Sequence, residues 1–180
     1  MNKEELIKTL PTFTYHPNVY ENTIVKFTDG VCDCCKRNVK AYVSLMYTFA
    51  KVNCICMQCI ASGEAAKKFD GEFVDGAEEI SNAKKKDILF HRTPPYASWQ
   101  GEYWLACCDD YCEFLKDAGT KELEELGICD ELIKEYSDKF NENFDYIKGN
   151  LKAGGKVAGY LFKCKHCDRY HLYVDFMEED

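Results

Sequence analysis

Apolar residues fall in short bursts along this chain, and their period changes from one burst to the next. Leu6 and Leu10 share a helical face that Pro11 interrupts, which predicts one or two turns of helix over residues 3 to 9. IVKF from Ile24 and AYVSLMYTF from Ala41 are rich in β-branched and aromatic residues and predict strands on either side of a cysteine-rich turn. IASGEAAKKF, with Lys67 and Lys68 near its end, predicts a short helix, and residues 83 to 90 predict another that ends before Pro94 and Pro95. The stretch from Gly71 to Asp87, punctuated by Asp75-Gly76, reads as a linker or exposed excursion.

Further on, GEYWLAC and YCEFL flank Cys-Asp-Asp-Tyr-Cys like the arms of a hairpin, with Asp109 and Asp110 as turn residues. A helical period then starts at Thr120 with Leu123 and Leu126, and resumes after Gly127 through Leu132, Ile133, Tyr136 and Phe140. Phe144 and Ile147 predict a third short helix stopped at Gly149. Gly154-Gly155 breaks the chain before GYLFKCKHCDRYHLYVDF, where Tyr170, Leu172 and Val174 alternate along the outgoing strand of a last hairpin. The class predicted is α+β: small zinc-ribbon-like β-hairpins with a helical insertion. Residues 1–95 form an N-terminal zinc-ribbon-like part and residues 96–180 an acidic part with the insertion and a second such site, as two units or around one shared core.

The cysteines give this pattern its chemistry. The chain has twelve in 180 residues. MNKEELIKTL has no apolar run that would act as a secretory signal, and no stretch approaches the roughly 18 apolar residues of a membrane span, so reduced cytoplasmic thiols are expected. A Cys-x-x-Cys turn places two thiolates on one side of a tight loop, and a second turn about 20 residues on completes a tetrahedral site. Cys32, Cys35, Cys56 and Cys59 fit that spacing. Cys108 and Cys112, a looser turn, would close a second site with Cys164 and Cys167 about 50 residues away, a separation that costs little because closure entropy grows with the logarithm of loop length. The expectation is two structural zinc ions, with iron as the competing metal. Cys34, Cys54, Cys107, His166 and His171 stand close enough in sequence to replace a ligand. His16, before Pro17, has no cysteine nearby, and Cys129 reads as a core thiol.

Charge narrows the partners. The formal net charge is -8, and it is uneven: residues 1–95 carry 13 Lys and Arg against 12 Asp and Glu, whereas residues 96–180 carry 10 against 19. Two four-thiolate zinc sites would take the total to about -12. Such a surface repels nucleic acid and membrane phosphate and favours a basic protein partner. Lys84 to Lys86 are flanked by Glu78, Glu79 and Asp87 with no interleaved aromatics, which reads as a solvated helix. No Gly-rich phosphate loop, His-Glu-x-x-His or nucleophile elbow is present, so a non-enzymatic role leads. A thiol- or histidine-dependent enzyme or redox protein, drawing on the spare cysteines with His91, His166 or His171, is the alternative.

The ordered blocks VCDCC, CMQCIASGEAAKKF, RTPPYASWQGEYWLACCDDYC and GYLFKCKHCDRYHLYVDF resemble the CbrC family, a group of bacterial proteins without an assigned mechanism that has been linked to colicin tolerance. The resemblance runs from about Leu10 to Phe176 and is loosest from Thr120 to Lys152. It implies a small cytoplasmic bacterial protein with a tolerance or immunity-like role, and lends no catalytic residues.

Overall fold

Asn2 caps the first helix in a computed structural model that describes residues 2–178. Its side chain accepts from Glu5 N, and Glu5 accepts from Asn2 N, which satisfies two free amides and sets α1 (Lys3–Ile7). Five two-residue strands follow: β1 (Val25–Lys26), β2 (Gly30–Val31), β3 (Asn38–Val39), β4 (Tyr42–Val43) and β5 (Ile55–Cys56). β4 lies between β1 and β5, all antiparallel, while β2 and β3 form their own ladder. The strand expected through AYVSLMYTF is thus only two residues long. Beyond it, Tyr47 pairs with Glu72 in an isolated bridge and Phe49 is wholly exposed.

IASGEAAKKF contributes to two helices, not one. α2 (Met57–Ala61) and α3 (Glu64–Phe69) are separated by Gly63 at φ 76°, a left-handed position open to glycine at no steric cost. The expected excursion over 71–87 is corrected more strongly. Phe73 and Val74 are fully buried, Phe73 N donates to Phe90 O (2.8 Å), and β6 (Gly76–Ala77) enters a parallel ladder. Glycine and aspartate mark the turns of a segment; they do not say whether the apolar residues between those turns reach a core. α4 (Ala83–Arg92) follows, its first amides accepted by the Asn82 side chain, and β7 (Tyr103–Trp104) is the partner of β6.

A tight hairpin of β8 (Ala106–Cys107) and β9 (Asp110–Tyr111) leads into β10 (Glu113–Asp117). The helical insertion is α5 (Thr120–Glu125), α6 (Cys129–Phe140) and α7 (Phe144–Asn150), after which β11 (Val157–Lys163) and β12 (Tyr170–Phe176) complete the longest sheet. β11 lies between β10 and β12, antiparallel to both, and is buried along nearly its whole length. Gly159 permits the approach of β10: a Cβ there would stand 2.2 Å from Ala118 O.

Three apolar clusters hold these elements. The first gathers Phe13, Val43, Ile55, Met57 and Ile60 around the N-terminal strands. The second is aromatic, with Tyr96 stacked on Phe114 (centroids 4.5 Å, planes 13° apart) and packed against Trp104, Tyr160 and Phe162. Such ring pairs add about 0.5–1.5 kcal/mol each beyond their buried area. The third packs Leu123, Leu132, Ile133 and Ile147 of the insertion onto Leu161, Leu172 and Val174 of the long sheet. Phe13 belongs to the first cluster and Tyr15 to the second; Phe73 and Val74 divide in the same way. The chain is a mixed α+β fold of small hairpins and helices. Among the described residues no helix is long and apolar enough to cross a membrane.

Candidate metal centres

Two six-residue stretches, Cys32-Asp33-Cys34-Cys35-Lys36-Arg37 and Cys164-Lys165-His166-Cys167-Asp168-Arg169, fold alike. Cys32 N donates to Arg37 O (3.0 Å) and Lys36 N to Cys32 O (2.8 Å); in the second, Cys164 N donates to Arg169 O (2.8 Å) and Asp168 N to Cys164 O (3.1 Å). Each knuckle is the tip of a hairpin in the same register, with Val31 opposite Asn38 and Lys163 opposite Tyr170. Both Cys-x-x-Cys pairs therefore present their sulfurs from one backbone shape.

In the first centre, Cys56 is the N-cap of α2 and Cys59 lies in its first turn, so the helix start aims both at the knuckle. The sulfurs of Cys32, Cys35, Cys56 and Cys59 lie within 4.8 Å of one another. Cys32 Sγ and Cys59 Sγ are 4.0 Å apart, Cys35 Sγ and Cys56 Sγ 3.9 Å. Cys56 N donates to Cys32 Sγ (3.3 Å) and Arg37 Nε to Cys35 Sγ (3.4 Å). Asp33 braces the loop by accepting from Asn53 N and Cys54 N (2.8 and 3.0 Å); these bonds hold its carboxyl below the usual range. Cys34 and Cys54 stay outside the group of four.

The second centre gathers Cys107, Cys108, Cys164 and Cys167, again within 4.8 Å. Cys107 Sγ is 3.7 Å from both Cys108 Sγ and Cys167 Sγ. The expected ligand Cys112 is elsewhere. Cys108 and Asp109 both take left-handed φ (56° and 53°), forming the two-residue turn between β8 and β9 that sets Cys107 opposite Asp110. Cys112 comes after β9 and is fully buried in the aromatic cluster; its amide donates to Leu105 O and its carbonyl accepts from Trp104 Nε1 (both 2.9 Å). The sequence pointed to a hairpin here but put Asp109 and Asp110 in its turn, one residue late, because Cys-Asp is not one of the pairs that favour a two-residue turn.

Asp110 was also missed. It ties the turn to the knuckle: its carboxylate accepts from Tyr15 OH and His166 Nε2 (both 2.8 Å) and lies 3.1 Å from Lys165 Nζ and 3.3 Å from Lys85 Nζ. Burial disfavours its charge, but bonds from His166, Tyr15 and Lys165 outweigh that and hold the carboxyl far below its usual range. His166 is thus occupied by a carboxylate, and His171 faces Glu135 (3.7 Å). Neither imidazole joins a group of sulfurs. His16 is buried between Trp104 and Phe114 and donates from Nδ1 to Pro94 O (3.1 Å), while Cys129 lies in the third cluster.

Four thiols at these distances compete for charge. In the first centre, burial and then bonding to Cys56 lift Cys59 far above its ordinary value, and burial lifts Cys56 to about 11. Burial also opposes ionisation of Cys35, yet the Arg37 side chain and backbone hold it down to about 6. In the second, burial followed by bonds to Cys164 and Cys167 raises Cys107. Cys164 is held down to about 7 by the amides of His166 and Cys167, against burial. A central dication would relieve this conflict by ionising all four. Both groups are positioned to hold a metal ion.

A family model described as an uncharacterised protein family, UPF0167, matches residues 10–176. UPF0167 protein PA1536 of Pseudomonas aeruginosa is 33% identical over 175 residues, covering 93% of this chain and 97% of that one. UPF0167 protein Mb2317 of Mycobacterium bovis and UPF0167 protein MT2352 of Mycobacterium tuberculosis are each 33% identical over 179 residues, covering 93% of this chain and 94% of theirs. No solved structure matches the chain. All eight clustered cysteines lie inside the matched span, and the chain belongs to the UPF0167 family.

Proposed function

We propose that this protein is a non-catalytic zinc protein, with one structural ion in each four-cysteine group, that acts by recognising another macromolecule. The sulfur spacing carries the reading. A zinc ion with four bonds of about 2.3 Å sets its ligands about 3.8 Å apart. Of the twelve sulfur pairs in the two groups, four lie at 4.0, 3.9, 3.7 and 3.7 Å, and all lie within 4.8 Å. Four thiolates leave the ion no open position for activating water, so its binding energy, about 10–16 kcal/mol in small zinc modules, goes into folding. A tetrahedral four-thiolate donor set suits zinc and iron alike, and metal analysis separates the two. All twelve cysteines are free thiols, which suits the cytoplasm.

The acidity of residues 96–180 supports a basic protein as the partner, and exposed carboxylates of α5 and α6 are the surface we assign to it. A tolerance or immunity role against a basic toxin is the sharpest form of this reading, supported by the resemblance to the CbrC family. Native mass spectrometry with metal analysis tests the first half: two zinc ions per chain are expected, and one or none would overturn it. Capture experiments at low and high salt test the second, since an electrostatic partner is lost as salt rises.

One observation favours a histidine-dependent enzyme as a second reading. A cleft of about 860 Å³ contains no cysteine but is lined by Tyr47, Glu72, Asp87, His91 and Arg92. His91 Nδ1 is 2.9 Å from Asp87 Oδ1 and Nε2 is 3.7 Å from Glu72 Oε1. Turnover abolished by His91→Gln with both metals retained would establish it.

A further inference from the structure

The two centres differ in what surrounds their sulfurs. In the first, Cys32, Cys56 and Cys59 are fully buried and only Cys35 is partly exposed. In the second, Cys108 and Cys167 are exposed, Cys107 is partly so, and only Cys164 is buried. Their hydrogen bonds differ too. Amide and guanidinium donors reach Cys32 and Cys35 in the first centre, whereas in the second the amides of His166 and Cys167 both serve the buried Cys164. A metal-bound thiolate keeps its nucleophilicity in proportion to its access and its freedom from donors.

We infer that the second centre is a thiol-modification site at which a hydroperoxide releases the metal, while the first holds its ion. The inference rests on the zinc reading above. Cys167 is the exposed nucleophile and Cys107, 3.7 Å away, the resolving thiol. The Cys167 thiolate attacks the peroxide O–O bond and takes one oxygen as a sulfenic acid; the departing alkoxide or hydroxide takes up a proton. The Cys107 thiolate then attacks that sulfur, forming an S–S bond and expelling hydroxide, which is protonated to water. The two sulfurs together lose two electrons and the peroxide gains two. Cys108 is equally near Cys107, but adjacent residues reach disulfide geometry only by distorting the backbone, which leaves Cys107–Cys167 as the product. With two of four ligands consumed, the ion leaves.

The test uses the full chain as purified. Its metals are first counted, hydrogen peroxide is added, release is followed with a chromogenic chelator, and the oxidised protein is mapped by peptide mass spectrometry. One zinc should leave at least about tenfold faster than the other, together with a Cys107–Cys167 cross-link that a thiol reductant reverses. Fewer than two zinc ions before oxidation would overturn the metal reading and this inference with it. Two ions leaving at one rate, or a first cross-link among Cys32, Cys34, Cys35, Cys56 and Cys59, would overturn the inference alone.

Discussion

Lys36 and Asp168 occupy the same step of two separate knuckles, each with a left-handed backbone, at φ 63° and 59°. Neither is glycine, and each directly follows a cysteine of a metal centre. Both positions are held by the turn bonds that close the knuckle, so the strain is overdetermined locally.

Lys36→Gly should therefore be neutral or stabilising by up to about 1 kcal/mol, and Lys36→Val, β-branched at a left-handed position, should cost about 1–2 kcal/mol. Denaturant midpoints of the two variants, each with its metals counted, check this. Equal midpoints would mean that the turn relaxes without cost.

Cys107 and Cys112 should separate cleanly. Cys107→Ser removes a sulfur from the second group and should cost one of two metal ions. Cys112→Ala leaves both groups intact and should cost only about 1 kcal/mol for a small cavity among Trp104 and Phe162. Metal counts that drop for Cys112→Ala and not for Cys107→Ser would restore the spacing expected from sequence.

His16 gives the fold a pH dependence of its own. Burial holds its imidazole down to about 4, against the opposing bond to the Pro94 carbonyl. Unfolded, it titrates near 6.5, so between these values the unfolded chain binds the extra proton and stability falls as pH falls. The loss by pH 5 is about 2 kcal/mol. Acid also protonates metal-binding thiolates, so the measurement is the difference between wild type and His16→Gln from pH 7 to pH 5. The variant should be less stable at pH 7 and should lose less on acidification; parallel curves would rule the histidine out.

The partner surface can be drawn more narrowly than the charge count allows. Glu122 is committed to the fold, accepting from Gly119 N (2.7 Å) at the start of α5. Asp130, Glu135 and Asp138 are engaged with Lys148, Arg169 and Lys134. Glu124, Glu125 and Glu131 are exposed on the same two helices. Reversing these three to lysine should reduce salt-sensitive capture of basic proteins severalfold, with metal content and helix content unchanged. Undiminished capture would move the contact elsewhere, with the half-exposed Trp99 next to be tested.

What the sequence made legible was local. Cys-x-x-Cys spacing brought out Cys32 with Cys35 and Cys164 with Cys167, because the two backbone bonds that close each tight turn determine where those sulfurs point. The hairpin of β11 and β12 and the three helices of the insertion also followed from period alone. What escaped depended on tertiary contact. Cys107 stood only as a substitute ligand, since two neighbouring side chains converge only in a left-handed turn, which Ser81 and Lys85 brace through Asp109. Phe73 and Val74 sat in a stretch whose composition signals solvent, and only the distant partners Phe90 and Glu102 draw it inward.

The helical insertion lies between the two halves of the second centre, and this gives the protein a clock during synthesis. All four sulfurs of the first centre exist once residue 59 has been added, whereas Cys107 and Cys108 must await Cys164 and Cys167. At about 5–20 residues per second the gap lasts on the order of 10 s. Nascent chains halted at residue 152 should carry one zinc ion and finished chains two, so the second ion would mark a completed polypeptide.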